Sequence, residues 1–207
     1  MTTSVTCDLC SSAGLHFQAT HIDPIDYIEG PLQAKIWIVG LNPKGEIGTL
    51  ETRTKQELES FNPDRSSYFR DFKKVSERLY KNWLSEKSTV AHTDLVKCYS
   101  PTFPPNDDNK SKQLVIGNCK RYLFNQILLH KPKVLICNGT DVCNMMMSFF
   151  PPDSQEPHTL LTSYKASFQN HAFTLVLSGF IGRIDDRNKR RLGKEIEAIL
   201  QEENIQL

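Results

Sequence analysis

The sequence predicts an α/β protein, with helices packed on both faces of a central, mostly parallel four-stranded sheet. Three observations carry that expectation. Short apolar runs bounded by turn residues recur at 33–39, 89–96, 134–137 and 173–177, the pattern of strands buried on both faces. Amphipathic, helix-length segments separate them, as parallel pairing requires. Hydrophobic residues at 39% and charged residues at 24% describe a globular chain, and 207 residues are enough for one cored domain.

The first strand ends in Gly40-Leu41-Asn42-Pro43. After a long loop, Ser66 to Leu84 reads as a helix with Phe69, Phe72, Val75, Leu79 and Trp83 on one side. The second strand, at 89–96, runs into a loop marked by Pro101, Pro104 and Pro105, and Gln113 to Leu129 reads as the next helix. Val134 to Cys137 is the third strand, followed by Gly139 and a helix through Met147. Thr159 to Tyr164 has only a weak strand pattern. Phe173 to Leu177 is the fourth strand of the main sheet, and Asp186 to Gln201 the final helix.

No apolar run reaches membrane-spanning length and no charged-then-apolar leader opens the chain. A soluble, cytoplasmic protein of bacterial type is expected, with no membrane association and no obligate protein partner evident. The net charge of +1 offers no whole-protein attraction to nucleic acid, so any basic footprint is local.

Six cysteines in such a chain argue against structural disulfides. Cys7 and Cys10 form a C-x-x-C pair, Cys98 follows the second strand, and Cys119 lies near the head of a helix. Four thiolates suit zinc or an iron–sulfur cluster, and spacing does not separate the two. Cys137 and Cys143 sit in apolar surroundings and read as core thiols. The six histidines, at 16, 21, 92, 130, 158 and 171, show no metal or triad spacing and read as structural or exposed.

Ligands of open α/β sheets bind beyond the carboxyl ends of the strands. Gly40 to Pro43 occupy that place: the glycine permits close approach, the proline fixes the turn, and Asn42 presents an amide. The same residues also serve as ordinary strand-to-loop punctuation.

Three segments resemble the uracil-DNA glycosylase superfamily. IVGLNPKG at 38–45 is similar to motif A, G-x-N-P-G in its mismatch-specific branch. TDLVKCYSP at 93–101 is similar to T-N-x-V-K-C-x-P-P of its iron–sulfur branch, as is the run from Cys119 through KRYLFNQILLHKPKVLICNGTDV. The resemblance implies the α/β/α fold and action on DNA. It also implies a 4Fe-4S cluster on Cys7, Cys10, Cys98 and Cys119, zinc being the less favoured occupant. Asn42 matches the asparagine that positions the attacking water, with Gly40, Leu41 and Pro43 around the base. Phe61 matches the phenylalanine that stacks on it; a loop anchor on the core is the alternative.

Two positions depart from the family pattern. Asp94 stands where the family has an asparagine that both donates to and accepts from uracil, and an ionised carboxylate only accepts. Weak uracil activity is expected if Asp94 faces the base; a structural role at the strand end is the alternative. Motif B reads VLSGFIGRIDDRNKRR from 176, with Val176-Leu177 in place of His-Pro or Asn-Pro. Ser178, Gly179 and Arg183 resemble the mismatch-specific branch. No histidine stands there to stabilise a departing base.

Arg183, Arg187, Lys189, Arg190 and Arg191 make the best basic patch at a loop-to-helix start. Phosphate contact suits it, and Phe180 or Ile181 suits the gap left by a flipped nucleotide; a solvated charged helix is the alternative. The expected function is hydrolysis of the N-glycosidic bond of a deaminated or damaged base in DNA. The alternatives are a DNA-binding module that has lost turnover, and a metal-binding α/β protein acting on nucleotides.

Overall fold

A computed structural model describes residues 7–15, 17, 22–43, 53–100, 102–104, 108–152 and 161–207. Lys44, Gly45, Pro101, Pro105, His16, His21, His158 and the first residues of the weak strand pattern at 159–164 lie outside the described residues.

The sheet has five strands: β1 (Ile36–Gly40), β2 (Val90–Asp94), β3 (Val134–Asn138), β4 (Ser163–Phe168) and β5 (His171–Ser178). Their order is β2-β1-β3-β5-β4, all pairs parallel except β4 with β5. The fifth strand corrects the expected count of four. β4 alternates, with Tyr164 and Ala166 buried and Lys165 and Ser167 exposed, as an edge strand with one covered face should. It turns into β5 through Gln169 and Asn170, both at positive φ, in a two-residue hairpin. That pair lacks the glycine that makes such turns easy to read.

The first three strands are buried throughout, and their side chains alternate between two cores. Trp37, Val39, Leu135 and Cys137 pack with Leu123 and Ile127 of α5 (Asn109–His130) and Val142 and Met146 of α6 (Thr140–Phe149). Ile36, Ile38, Val134 and Ile136 face the other way. They meet short helices α2 (Ser67–Arg70), α3 (Phe72–Val75) and α4 (Glu77–Trp83), together with α7 (Asp186–Glu202). A short α1 (Lys55–Glu59) precedes these, held by a capping box between Thr54 and Glu57.

The single helix expected at 66–84 is broken into three. Ser76 is extended, at φ −147°, and its hydroxyl accepts from the Leu79 amide to start α4. Its five predicted core residues are nonetheless all buried. Gly193 of α7 explains the closeness here: a Cβ at that position would lie 1.8 Å from the Val75 carbonyl oxygen. Asp108 and Asp185 cap the two long helices by accepting two backbone amides each. Among the described residues, no helix is long and apolar enough to cross a membrane.

Candidate functional site

The parallel register brings the strand ends together. Gly40 pairs with Asp94, and Asn138 with Ser178. The chain leaves β1 toward β2 and then crosses to β3 on its other side, so a crevice opens above β1 and β3. It holds a cavity of about 870 Å³, walled in part by Asn42, His92, Asp94, Tyr68, Asn138 and Phe180.

Asn42 is buried, and its amide nitrogen donates to the Pro43 and Ser100 carbonyls at 3.1 and 2.9 Å. The amide oxygen is buried without a partner among the described residues. A buried acceptor left unpaired costs about 1–3 kcal/mol, so the amide is held in one orientation with its oxygen ready for a donor. Gly40 is fixed by space. A Cβ there would sit 2.4 Å from Asp94 Oδ1, 2.8 Å from His92 Nε2 and 3.4 Å from Tyr68 Oη. Three polar atoms thus converge above one bare backbone position.

Their electrostatics are set by burial and by each other. Burial pushes the Asp94 carboxyl up to about 6, partly offset by His92. Burial alone would push the His92 imidazole down; the charge of Asp94 and the hydrogen bond to Glu29 outweigh it, so the net shift is upward. Nδ1 of His92 lies 2.8 Å from Glu29 Oε2, and Arg53 closes the far side of that carboxylate. Nε2 of His92 has no hydrogen-bond partner among the described residues and lies 3.7 Å from Asp94 Oδ1. Behind Asp94, the buried Lys97 ammonium donates to the Asp94 carbonyl, Thr93 Oγ1 and Gln126 Oε1 at 2.6–2.8 Å. Burial pulls that ammonium down to about 8. Asn138 donates to Tyr68 Oη at 2.7 Å and accepts from the Ile181 amide at 2.9 Å, fixing the opposite wall.

Leu41 and Pro43 line the cavity beside Asn42. Phe61 lies between cavity and core, edge-on to Phe69 at 5.0 Å and near Trp83 at 5.9 Å. Gly179, Phe180 and Arg183 also line the cavity, with the Arg183 guanidinium 5.8 Å from the Phe180 ring centre. Arg187, Arg190 and Arg191 are exposed along α7. Lys189 leaves the expected basic patch: it is buried against Asp71 at 3.1 Å. Ile181 is fully buried and is no wedge. Ser178 is buried, with its hydroxyl donating to the Gly179 carbonyl. The sequence reading missed Glu29, Arg53, His92 and Asn138. Their signal is register and bridging, since Glu29 and His92 join by a two-way backbone bridge that no spacing rule reveals.

A second site lies at the other end of the 94–98 segment. The sulfurs of Cys10, Cys98 and Cys119 all lie within 4.8 Å of one another, and the three residues are buried. Cys7, expected as the fourth member, falls outside that triangle; its sulfur accepts from Tyr122 Oη at 3.2 Å within the same apolar cluster. Hydrogen bonds from Cys119 and Cys98 hold the Cys10 thiol down at about 3, while the hydrogen bond to Cys10 pushes Cys119 up to about 11. Three buried thiols this close can hold a metal, and that donor set suits a soft one.

The sheet thus gathers an amide, a carboxylate and an imidazole at its strand ends, beside the rings of Tyr68 and Phe180 and the Arg183 guanidinium, in an α/β protein. A family model described as the uracil DNA glycosylase superfamily matches residues 27–178, and the chain belongs to that superfamily. Its members act on DNA, which gives this chain a glycosylase-like function at the superfamily level. The match takes in Asn42, Phe61, Asp94, Cys98 and Cys119; Cys7, Cys10 and the arginines from 183 onward lie outside it. A comparison with curated proteins returns no match.

Proposed function

We propose that the protein is a DNA N-glycosylase that hydrolyses the bond between deoxyribose and a flipped, deaminated or damaged base. The observation that carries this is the buried amide oxygen of Asn42 after β1, which has no partner among the described residues. In this reading it accepts from a water and aims that water's lone pair at the sugar carbon C1′. The C1′–N bond breaks with its electron pair leaving on the base. Water bonds to C1′, and the proton it sheds goes to the departing base or to bulk water. An amide can orient water without ionising, and its oxygen favours the positive charge that develops on the sugar. Phe61 and Phe180 offer ring faces for the flipped base, and Arg183, Arg187 and Arg190 offer cations to the flanking phosphates.

Cys10, Cys98 and Cys119, completed by Cys7 if Tyr122 releases it, would hold a 4Fe-4S cluster. That cluster's contribution would be structural, joining the N-terminal segment to α5 and to the loop after β2. The whole chain is read as one domain on this basis.

The test is single-turnover excision on duplexes carrying a panel of deaminated and oxidised bases. The wild type should release at least one of them. Asn42→Ala should slow that release by about a hundredfold or more, in the range seen when one positioned polar group is lost, while DNA affinity holds. An excising enzyme indifferent to Asn42→Ala would overturn the role of the amide. Tight binding without release of any base would favour a binding module on the glycosylase fold.

A further inference from the structure

His92 is a buried cavity residue that the proposed chemistry leaves idle. Its imidazole is anchored: the Glu29 and His92 backbones bond in both directions at 2.7 and 2.8 Å, and Glu29 Oε2 faces Nδ1 at 2.8 Å. The other ring nitrogen is almost wholly buried and has no hydrogen-bond partner among the described residues. It points into the space above Gly40, where Asp94 Oδ1 also points. The two atoms are 3.7 Å apart, too far to satisfy each other. A ring nitrogen without a hydrogen-bond partner among the described residues and a carboxylate oxygen therefore stand side by side in the wall of the cavity.

We propose that His92 and Asp94 act as one recognition pair for a flipped nucleobase, with Nε2–H donating to a carbonyl oxygen of the base and the Asp94 carboxylate accepting from the ring N–H beside it. The proposal rests on the glycosylase reading only in placing a base in the cavity. The edge selected is a carbonyl next to a protonated ring nitrogen, as in uracil or hypoxanthine. Cytosine and adenine place an unprotonated nitrogen opposite the carboxylate and are rejected. The donor that Asp94 lacks, when set against an asparagine, comes from the same strand, two residues back on β2. His92 would also meet the charge that spreads onto that carbonyl oxygen as the bond to C1′ breaks, the task for which the 176–177 segment offers no histidine.

Titration of the pair follows from the groups that face it. Glu29, Asp94, Tyr68 and Phe69 touch the imidazole, and Arg53 and Lys97 lie behind the two carboxylates. Recognition needs an ionised Asp94 and a charged His92. It should rise through about pH 6, where Asp94 ionises. It should fall at some pH above 6.5, the ordinary imidazole value from which His92 is raised.

The experiment is binding rather than turnover. Duplexes carry one 2′-fluoro-deoxyuridine, whose glycosidic bond resists hydrolysis, or one 2′-fluoro-deoxycytidine, each opposite an abasic site so that no base pair must open. The wild type should prefer the uracil duplex by about tenfold to a hundredfold, the discrimination expected of a buried polar mismatch. The preference should show the bell-shaped pH dependence. His92→Gln, whose amide donates without titrating, should keep the preference and lose the falling limb. His92→Leu with Glu29→Gln, which avoids stranding a buried carboxylate, should lose the preference. A double variant that melts near the wild type and still prefers uracil overturns the proposal. Should that variant not fold, a wild-type preference flat from pH 5 to 9 overturns it. A His92-dependent preference in a protein that excises nothing would refute turnover and sustain the pair. Excision with a preference indifferent to His92 would do the reverse.

Discussion

Replacing Asp94 by Asn should stabilise the folded protein near neutral pH. The carboxyl is fully buried and titrates at about 6 instead of 3.8. Below the lower value it is neutral in both folded and unfolded chains and makes no difference. As pH rises from there through about 6, the unfolded chain ionises freely while the folded one resists, so stability falls. The gap between the two values corresponds to about 3 kcal/mol at pH 7 and roughly half that at pH 5. An asparagine amide carries no such penalty. In a chain of this size each kcal/mol moves the melting temperature by about 2–4 °C, so Asp94→Asn should melt up to about 6–12 °C higher at pH 7. His92 works against the gain, because its charged form loses an attractive partner; the figure is a ceiling. Calorimetry on both proteins from pH 5 to 8, in matched buffers, reads the difference. A gap that does not grow with pH, or a variant that melts lower at every pH, would refute the assignment of Asp94 as a buried carboxylate held at a cost in stability.

Two further outcomes are expected. Neutralising Arg183, Arg187 and Arg190 together should weaken DNA binding and reduce the slope of log affinity against log salt by up to about 2.7, at about 0.9 for each phosphate no longer neutralised; a titration with an unchanged slope places the footprint elsewhere. Cys98→Ser should strip most of the metal and lower the melting temperature with it, because metal-binding free energy is folding free energy. Metal analysis of anaerobically matured wild type should find iron, and zinc alone would assign the site to a different occupant.

What the sequence disclosed was mostly what periodicity can carry. Ile36 to Val39 and Val134 to Cys137 read as strands because both their faces are covered, and they are buried throughout. The break at Ser76 was not legible, because the apolar spacing from Phe69 to Trp83 continues across it while a serine cap and the tight approach of Gly193 interrupt the backbone. β4 showed only as a weak strand pattern ending at Tyr164, because Gln169 and Asn170 make a turn usually signalled by glycine. At the site, Asn42 and Asp94 stood out as residues at strand ends. His92 did not, since its meaning comes from Glu29, sixty-three positions away in the chain and bonded to it across the sheet edge. Lys189 looked like part of a basic face and is buried on Asp71, a contact set by how α7 lies against α3.

The segment from Asp94 to Ser100 joins the cavity to the sulfur triangle. Leu95, Val96 and Lys97 are buried, and the Leu95 and Val96 amides are bolted to the Gly40 and Leu41 carbonyls at 2.9 Å. Cys98 belongs to the sulfur triangle, and two residues on, the Ser100 carbonyl clamps the Asn42 amide nitrogen. The Asn42 amide is therefore tied, through the Ser100 carbonyl, to a loop that begins at Cys98. If the Asn42 amide aims a water as proposed, a loosened sulfur triangle would let the Ser100 carbonyl drift and the amide swing, blurring that aim from outside the cavity.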